Sequence, residues 1–180
     1  MKRIVIACLV IGSLQLFEAC TRVPITGRRQ MNLLPESEMM SLALTSYSTF
    51  LKQSKVDAGT PDAVMVQRVG LRISKAVSAY LAKTKNSQRI AGYKWEFNLV
   101  DNKEMNAWCM PGGKVVVYSG LLPVTQNETA LAVVLGHEIS HAIARHGNER
   151  MSEQLALQLG ATALDVALAN QGAQTVNVFN

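Results

Sequence analysis

The chain has 180 residues, of which 48% are hydrophobic and 17% charged, and its formal net charge is +5. That length and apolar content allow one domain with its own core and exclude a disordered chain. The basic residues are dispersed, with no run longer than the "GRR" of Gly27–Arg29, so the positive balance describes a mildly basic surface and gives no ground for a nucleic-acid partner.

Residues 1–19 read as a secretory signal peptide. Lys2 and Arg3 precede an apolar run from Ile4 to Phe17 that is too short to span a bilayer. The run closes in "LQLFEAC", similar to the cleavage box of bacterial lipoproteins, which makes Cys20 the lipidation site and the first mature residue. Phe17 and Glu18 are unusual in such a box, and ordinary signal cleavage nearby is the alternative. With Cys8 removed and Cys20 acylated only Cys109 is left, so no intramolecular disulfide is expected. The expected location is a bacterial cell envelope, with the protein exported and held to a membrane by its lipid anchor, facing the periplasm.

Residues 20–34, rich in turn formers and without periodicity, read as a tether and wrapping arm, and residues 35–180 as the folded domain. Pro35 can open a helix running to about Lys55, with Glu36 and Glu38 well placed against its amino-terminal dipole. A second helix follows Thr60, a capping residue, and Pro61. Along it Val69, Ile73, Ala76, Val77 and Tyr80 recur at helical spacing. From Tyr93 to Val100 the period changes to two: Tyr93, Trp95, Phe97 and Leu99 alternate with Lys94, Glu96 and Asn98, the pattern of a half-buried strand. "NAWCM" and "KVVVYSG" flank a tight reversal at Pro111 to Gly113 and complete a small sheet.

The next helix carries the chemistry. Thr125 and Glu128 fit a capping box ahead of "TALAVVLG", which predicts a helix to about His146 with Gly147 ending it. All 3 histidines of the chain, His137, His141 and His146, fall in this one stretch. At helical spacing His137 and His141 lie roughly 40° apart on one face with Glu138 beside them, whereas His146 points away, roughly 160° from their midpoint. Two imidazoles one turn apart can hold a single zinc ion, and the neighbouring carboxylate can take a proton from an attacking water, which is the sense of an H-E-x-x-H pattern. The alternative is a surface helix whose histidines do nothing. His146 suits a role in capping the helix end or in packing, and Cys109 that of a small, partly buried filler.

"NAWCMPGGKVVVYSGLL" followed by "NETALAVVLGHEISHAIARHGNERMS" closely resembles metallopeptidase family 48, the gluzincins that include HtpX-like and CaaX-prenyl-processing peptidases, and in particular its secreted lipoprotein branch. The match runs from about Val69 to Ser152. The resemblance implies an α+β, gluzincin-like fold in which a small sheet lies beside a long H-E-x-x-H helix, with further packing helices. It implies one zinc ion per chain on His137 and His141, Glu138 as the catalytic general base, and substrate binding along an edge strand at Asn106, Ala107 and Trp108. The family takes a third ligand, a glutamate, from a later helix. After His141 this chain has only Glu149, Glu153 and Asp165 as acids, all too near or of the wrong kind, so the domain reads as truncated at its C-terminus or as having an incomplete site.

Two functions follow as expectations. The first is a zinc-dependent endopeptidase of the bacterial envelope that hydrolyses misfolded or membrane-associated proteins. The second is a catalytically incomplete lipoprotein of the same fold that binds or chaperones unfolded chains.

Overall fold

The structure, a computed structural model, describes residues 20–23 and 26–169, and the expected signal peptide lies outside the described residues. In chain order the elements are β1 (Cys20–Arg22), β2 (Arg29–Met31), α1 (Glu36–Gln53), β3 (Val56–Asp57), α2 (Pro61–Lys83), β4 (Glu96–Val100), β5 (Ala107–Met110), β6 (Lys114–Tyr118), α3 (Leu122–Thr125), α4 (Glu128–Ile143) and α5 (His146–Ala169). The fold is α+β, and its main sheet has four strands in the order β3-β4-β6-β5.

Every residue of β6, "KVVVY", is buried. A strand covered on both faces reads as a continuous apolar run, and this one occupies the interior of the sheet, parallel to β4 and antiparallel to β5. Val115 and Val117 face a core that also holds Phe97 and Leu99 of β4, Ala63, Val66 and Val69 of α2, and Leu131, Leu135 and Ile139 of α4. Val116 and Tyr118 face the opposite way, onto Tyr47 and Phe50 of α1 and Trp108 of β5. Helices α2 and α4 share one face of the sheet and α1 covers the other, because the alternating residues of β6 leave two apolar faces to be filled.

Local chemistry accounts for most boundaries. The Thr60 side chain caps α2 by accepting from Ala63 N at 3.2 Å, and Glu36 and Glu38 sit in the first turn of α1. Gly112 and Gly113 adopt φ of 85° and 79° in the three-residue turn between β5 and β6, conformations that favour glycine. Strand β4 begins at Glu96 rather than Tyr93, with Lys94 N already donating to Gly112 O at 2.9 Å. From Tyr93 into the strand, Tyr93, Trp95 and Phe97 keep the two-residue alternation as an aromatic ladder, with ring centroids 5.3 and 6.1 Å apart. The α4 cap also differs from expectation. Thr125 closes the short α3, Gln126 turns the chain at φ 59°, and Asn127 caps α4 by accepting from Ala130 N at 3.0 Å.

Residues 20–31 form an antiparallel hairpin in which Cys20 pairs with Met31. The arm that follows is tied to α5. Leu33 N donates to Ser152 Oγ and Asn148 Nδ2 donates to Leu34 O, both at 2.8 Å, and Asn148 and Ser152 are buried.

Gly70 brings α2 against β4, and a Cβ there would overlap the Phe97 ring. Gly70→Ala is therefore expected to destabilise the protein by about 1–3 kcal/mol in chemical denaturation despite the better helix propensity of alanine, and Phe97→Leu in the same chain should recover part of that loss.

Candidate metal centre

The rotation of α4 is set by its buried stripe. Leu131, Leu135 and Ile139 recur every four residues and are each 0% exposed. Each such side chain contributes about 1.5–3 kcal/mol by leaving water. With that stripe against the sheet, His137 and His141 project from the other side of the helix and Glu138 from its flank. The Nε2 atoms of His137 and His141 are 3.0 Å apart, with the rings edge to face. Two donors at ~2.0–2.1 Å from one tetrahedral ion stand about 3.3 Å apart, so the pair fits a shared zinc ion with little movement. Among the described residues no group of three or more His, Cys, Asp or Glu side chains converges as metal ligands would.

His146 is not where regular helical geometry put it. Helix α4 stops at Ile143, Arg145 takes a left-handed φ of 62°, and α5 starts anew at His146. The reversal carries His146 back, so that its Nδ1 comes within 2.6 Å of Nδ1 of His141. A non-glycine residue in this conformation costs about 1–3 kcal/mol and persists only where its surroundings enforce it. Here Arg145 Nε lies 3.0 Å from Glu36 Oε2 in a largely buried ion pair, at an angle too bent for a hydrogen bond. Nothing in "AIARHGN" marks the turn, since the left-handed residue is an arginine and the glycine two positions later does not make it.

These side chains share a cavity of about 580 Å³, lined by Trp108, Cys109, Glu138, His141, His146 and Glu149 among others. Of the expected substrate residues, Asn106 is exposed just before β5, Ala107 is buried under the sheet, and the Trp108 indole packs edge-on against Phe50 at 5.1 Å. The side chains of Ala107 and Trp108 are thus committed to the two cores, and what β5 presents outward is backbone. On its outer side β5 has no strand partner among the described residues. The Cys109 thiol reaches the same cavity. Of Cys20 the structure describes the backbone, in β1.

The electrostatics follow from burial and from one bidentate pair. Arg28 of the hairpin donates from both terminal nitrogens to Glu149 at 2.6 Å each, which holds the Glu149 carboxyl below its ordinary range. Burial keeps the His146 imidazole below its usual value, with the neighbouring His141 and Arg28 acting in the same direction. Burial, and after it the charge of Glu138, pushes the Cys109 thiol up to about 12. The pairing of Arg28 with Glu149 and the approach of His146 to His141 escaped sequence reasoning, because the first joins segments far apart in the chain and the second depends on the turn at Arg145.

An H-E-x-x-H helix on one face of a small mixed sheet, beside a free edge strand, defines a metallopeptidase fold. A profile of peptidase family M48 matches residues 67–180, and the chain belongs to that family. It is 31% identical over 163 residues to the mitochondrial metalloendopeptidase OMA1 of Schizosaccharomyces pombe, covering 87% of this chain and 45% of that protein. It is 34% identical over 118 residues to the Arabidopsis thaliana protein of the same name, covering 64% of this chain and 23% of that one. A shorter match, 48% over 60 residues, joins it to the Beta-barrel assembly-enhancing protease of Yersinia pestis, with 33% of this chain and 12% of that protein covered. The chain spans less than half the length of these relatives.

Two outcomes test the electrostatics. In metal-free protein Cys109 should resist maleimide at pH 7.5, and Glu138→Gln, by removing the neighbouring charge, should raise its labelling rate, as mass spectrometry would read. Because the folded carboxyl of Glu149 is depressed from the ordinary 4.5, its stabilisation is complete above that value and lost as pH falls through the folded one. The melting-temperature difference between wild type and Arg28→Ala should accordingly be positive at neutral pH and shrink towards zero as the pH is lowered below the ordinary carboxyl range.

Proposed function

We propose that the chain carries the catalytic part of a zinc-dependent endopeptidase that cleaves polypeptides bound in extended form. The observation that carries this reading is the convergence of the His137 and His141 Nε2 atoms 3.0 Å apart on α4, with Glu138 lining the same cavity as His141 and Cys109 of the edge strand β5. The relatives' names, a metalloendopeptidase and a protease, support the reaction class.

His137 and His141 would hold the zinc through Nε2. When bound, the ion supplies a Lewis acid that polarises the scissile carbonyl and makes water more acidic. The rest falls to the protein. The outer edge of β5 offers alternating N–H and C=O groups to an extended chain, so the affinity is backbone-based and the sequence preference broad. Glu138 accepts a proton on its carboxylate from the attacking water and passes it to the leaving amine nitrogen. Its position on the flank of α4, beside the two histidines, keeps it free for that transfer.

For the setting, we propose the bacterial cell envelope, with the signal peptide removed and Cys20 lipidated so that the domain is held at a membrane and acts on misfolded or membrane-associated proteins. The charge pattern of residues 2–17 and the "LQLFEAC" box support this, and no helix among the described residues is long and apolar enough to cross a membrane.

Glu138→Gln preserves shape and hydrogen bonding but removes the base. At matched zinc content it should slow hydrolysis of an unfolded protein such as casein by at least ~10²-fold while leaving the circular dichroism spectrum unchanged. Equal rates would sink the enzymatic reading, and binding of the unfolded chain with no hydrolysis by either protein would leave a groove that holds such chains without cutting them.

A further inference from the structure

The contact between His141 and His146 carries an inference that rests on the zinc reading above and adds a residue to it. The two Nδ1 atoms are 2.6 Å apart and the ring centroids 4.8 Å. A neutral imidazole has one N–H and one lone pair, so at this distance one Nδ1 must carry the proton and the other accept it. If the proton sits on His146, the His141 proton is forced onto Nε2, and that nitrogen cannot bind a metal. With the proton on His141 Nδ1, its Nε2 lone pair is free and points towards His137 Nε2, 3.0 Å away. Only this arrangement turns both Nε2 atoms into ligands.

We propose that His146 is a positioning residue: it accepts the Nδ1–H of His141 and thereby holds that ring in the tautomer and orientation that grip zinc together with His137. Ligating histidines generally give their second N–H to an acceptor that fixes them, and the acceptor here is another imidazole in place of a carboxylate or carbonyl. His146 is not itself a ligand in this arrangement, because it meets His141 on the side of the ring away from the Nε2 pair.

The surroundings show that the contact is built. His146 reaches His141 only because the chain turns through the left-handed Arg145, which Glu36 of α1 pairs at 3.0 Å. On the far side His146 opens α5, whose Asn148 and Ser152 are buried and bonded to the backbone at Leu34 and Leu33. On the near side Tyr93 donates from its hydroxyl to Ala142 O at 3.4 Å, close to the end of α4. The two histidines therefore stand on helices anchored separately, and their spacing is fixed by the fold around them.

The test combines zinc affinity, by competition with a chromogenic chelator, and nitrogen-15 NMR of the imidazoles in the metal-free 180-residue chain. His146→Ala should weaken zinc binding ~10–100-fold. His146→Asn should recover most of it, since the amide oxygen can stand where Nδ1 stands, and a merely structural role would not separate the two variants. Metal-free wild type should show His141 protonated at Nδ1. Equal affinity in all three proteins, His146→Asn no better than His146→Ala, or a wild-type His141 protonated at Nε2 would each overturn the proposal. If zinc binding depends on His137 and His141 but not on His146, the metal reading stands and this one falls. If wild type takes up no zinc, the metal reading falls and the His141 tautomer alone decides. Should His146→Ala fail to fold, the comparison of wild type with His146→Asn and the wild-type tautomer still decide it.

Discussion

The arrangement depends on how α4 is seated. Leu131, Leu135 and Ile139 lock into the valine face of the sheet, and since a helix turns by about 100° per residue, a slip of one position would swing Glu138 and His141 away from the cavity they line with Cys109 of β5. The candidate site is thus specified by side chains that never touch it. This is also why β6 is apolar on both faces: Val115 and Val117 seat the helix, while Val116 and Tyr118 recruit α1. Helix α1 in turn delivers Glu36 to the far end of α4.

From that seating a second layer of order follows. The pair of Glu36 with Arg145 holds a backbone conformation that arginine adopts reluctantly, and the turn it stabilises separates the two histidines of α4 from the one that opens α5. Two helices thus meet at an angle where one continuous helix would have kept His146 remote. The site consequently has a floor from β5, a wall from α4 and a second wall from α5. The floor also shapes the electrostatics. Cys109 and Glu138 share the cavity, and the carboxylate reinforces what burial does to the thiol.

Much of this was legible in the sequence, and the reasons for the rest are physical. Thr60 before Pro61, the acidic first turn of α1, and the glycines after Pro111 are local signals, each sufficient to place its element. The spacing of His137 and His141 likewise needs only helical geometry. Two local signals pointed slightly wrong: Thr125 and Glu128 match a capping box, but Asn127 makes the bond, and Gly147 looks like a terminator two residues beyond the real turn. What could not be read was long-range. The turn at Arg145 is enforced from α1, and the contact of Arg28 with Glu149 joins segments 121 residues apart. The assignment of helices to sheet faces depends on which apolar stripes meet, and periodicity within one segment does not determine that.

The bonds between the amino-terminal arm and α5 have a consequence for folding order. Leu33 with Ser152, Leu34 with Asn148 and Arg28 with Glu149 close loops of more than a hundred residues, so they raise the contact order of the domain and cannot nucleate it. During synthesis the arm leaves the ribosome well before its partner α5, so the hairpin waits unpaired until that helix has emerged. The docking of the arm is therefore a closing event that fastens α5, and His146 with it, after the sheet and α4 have assembled.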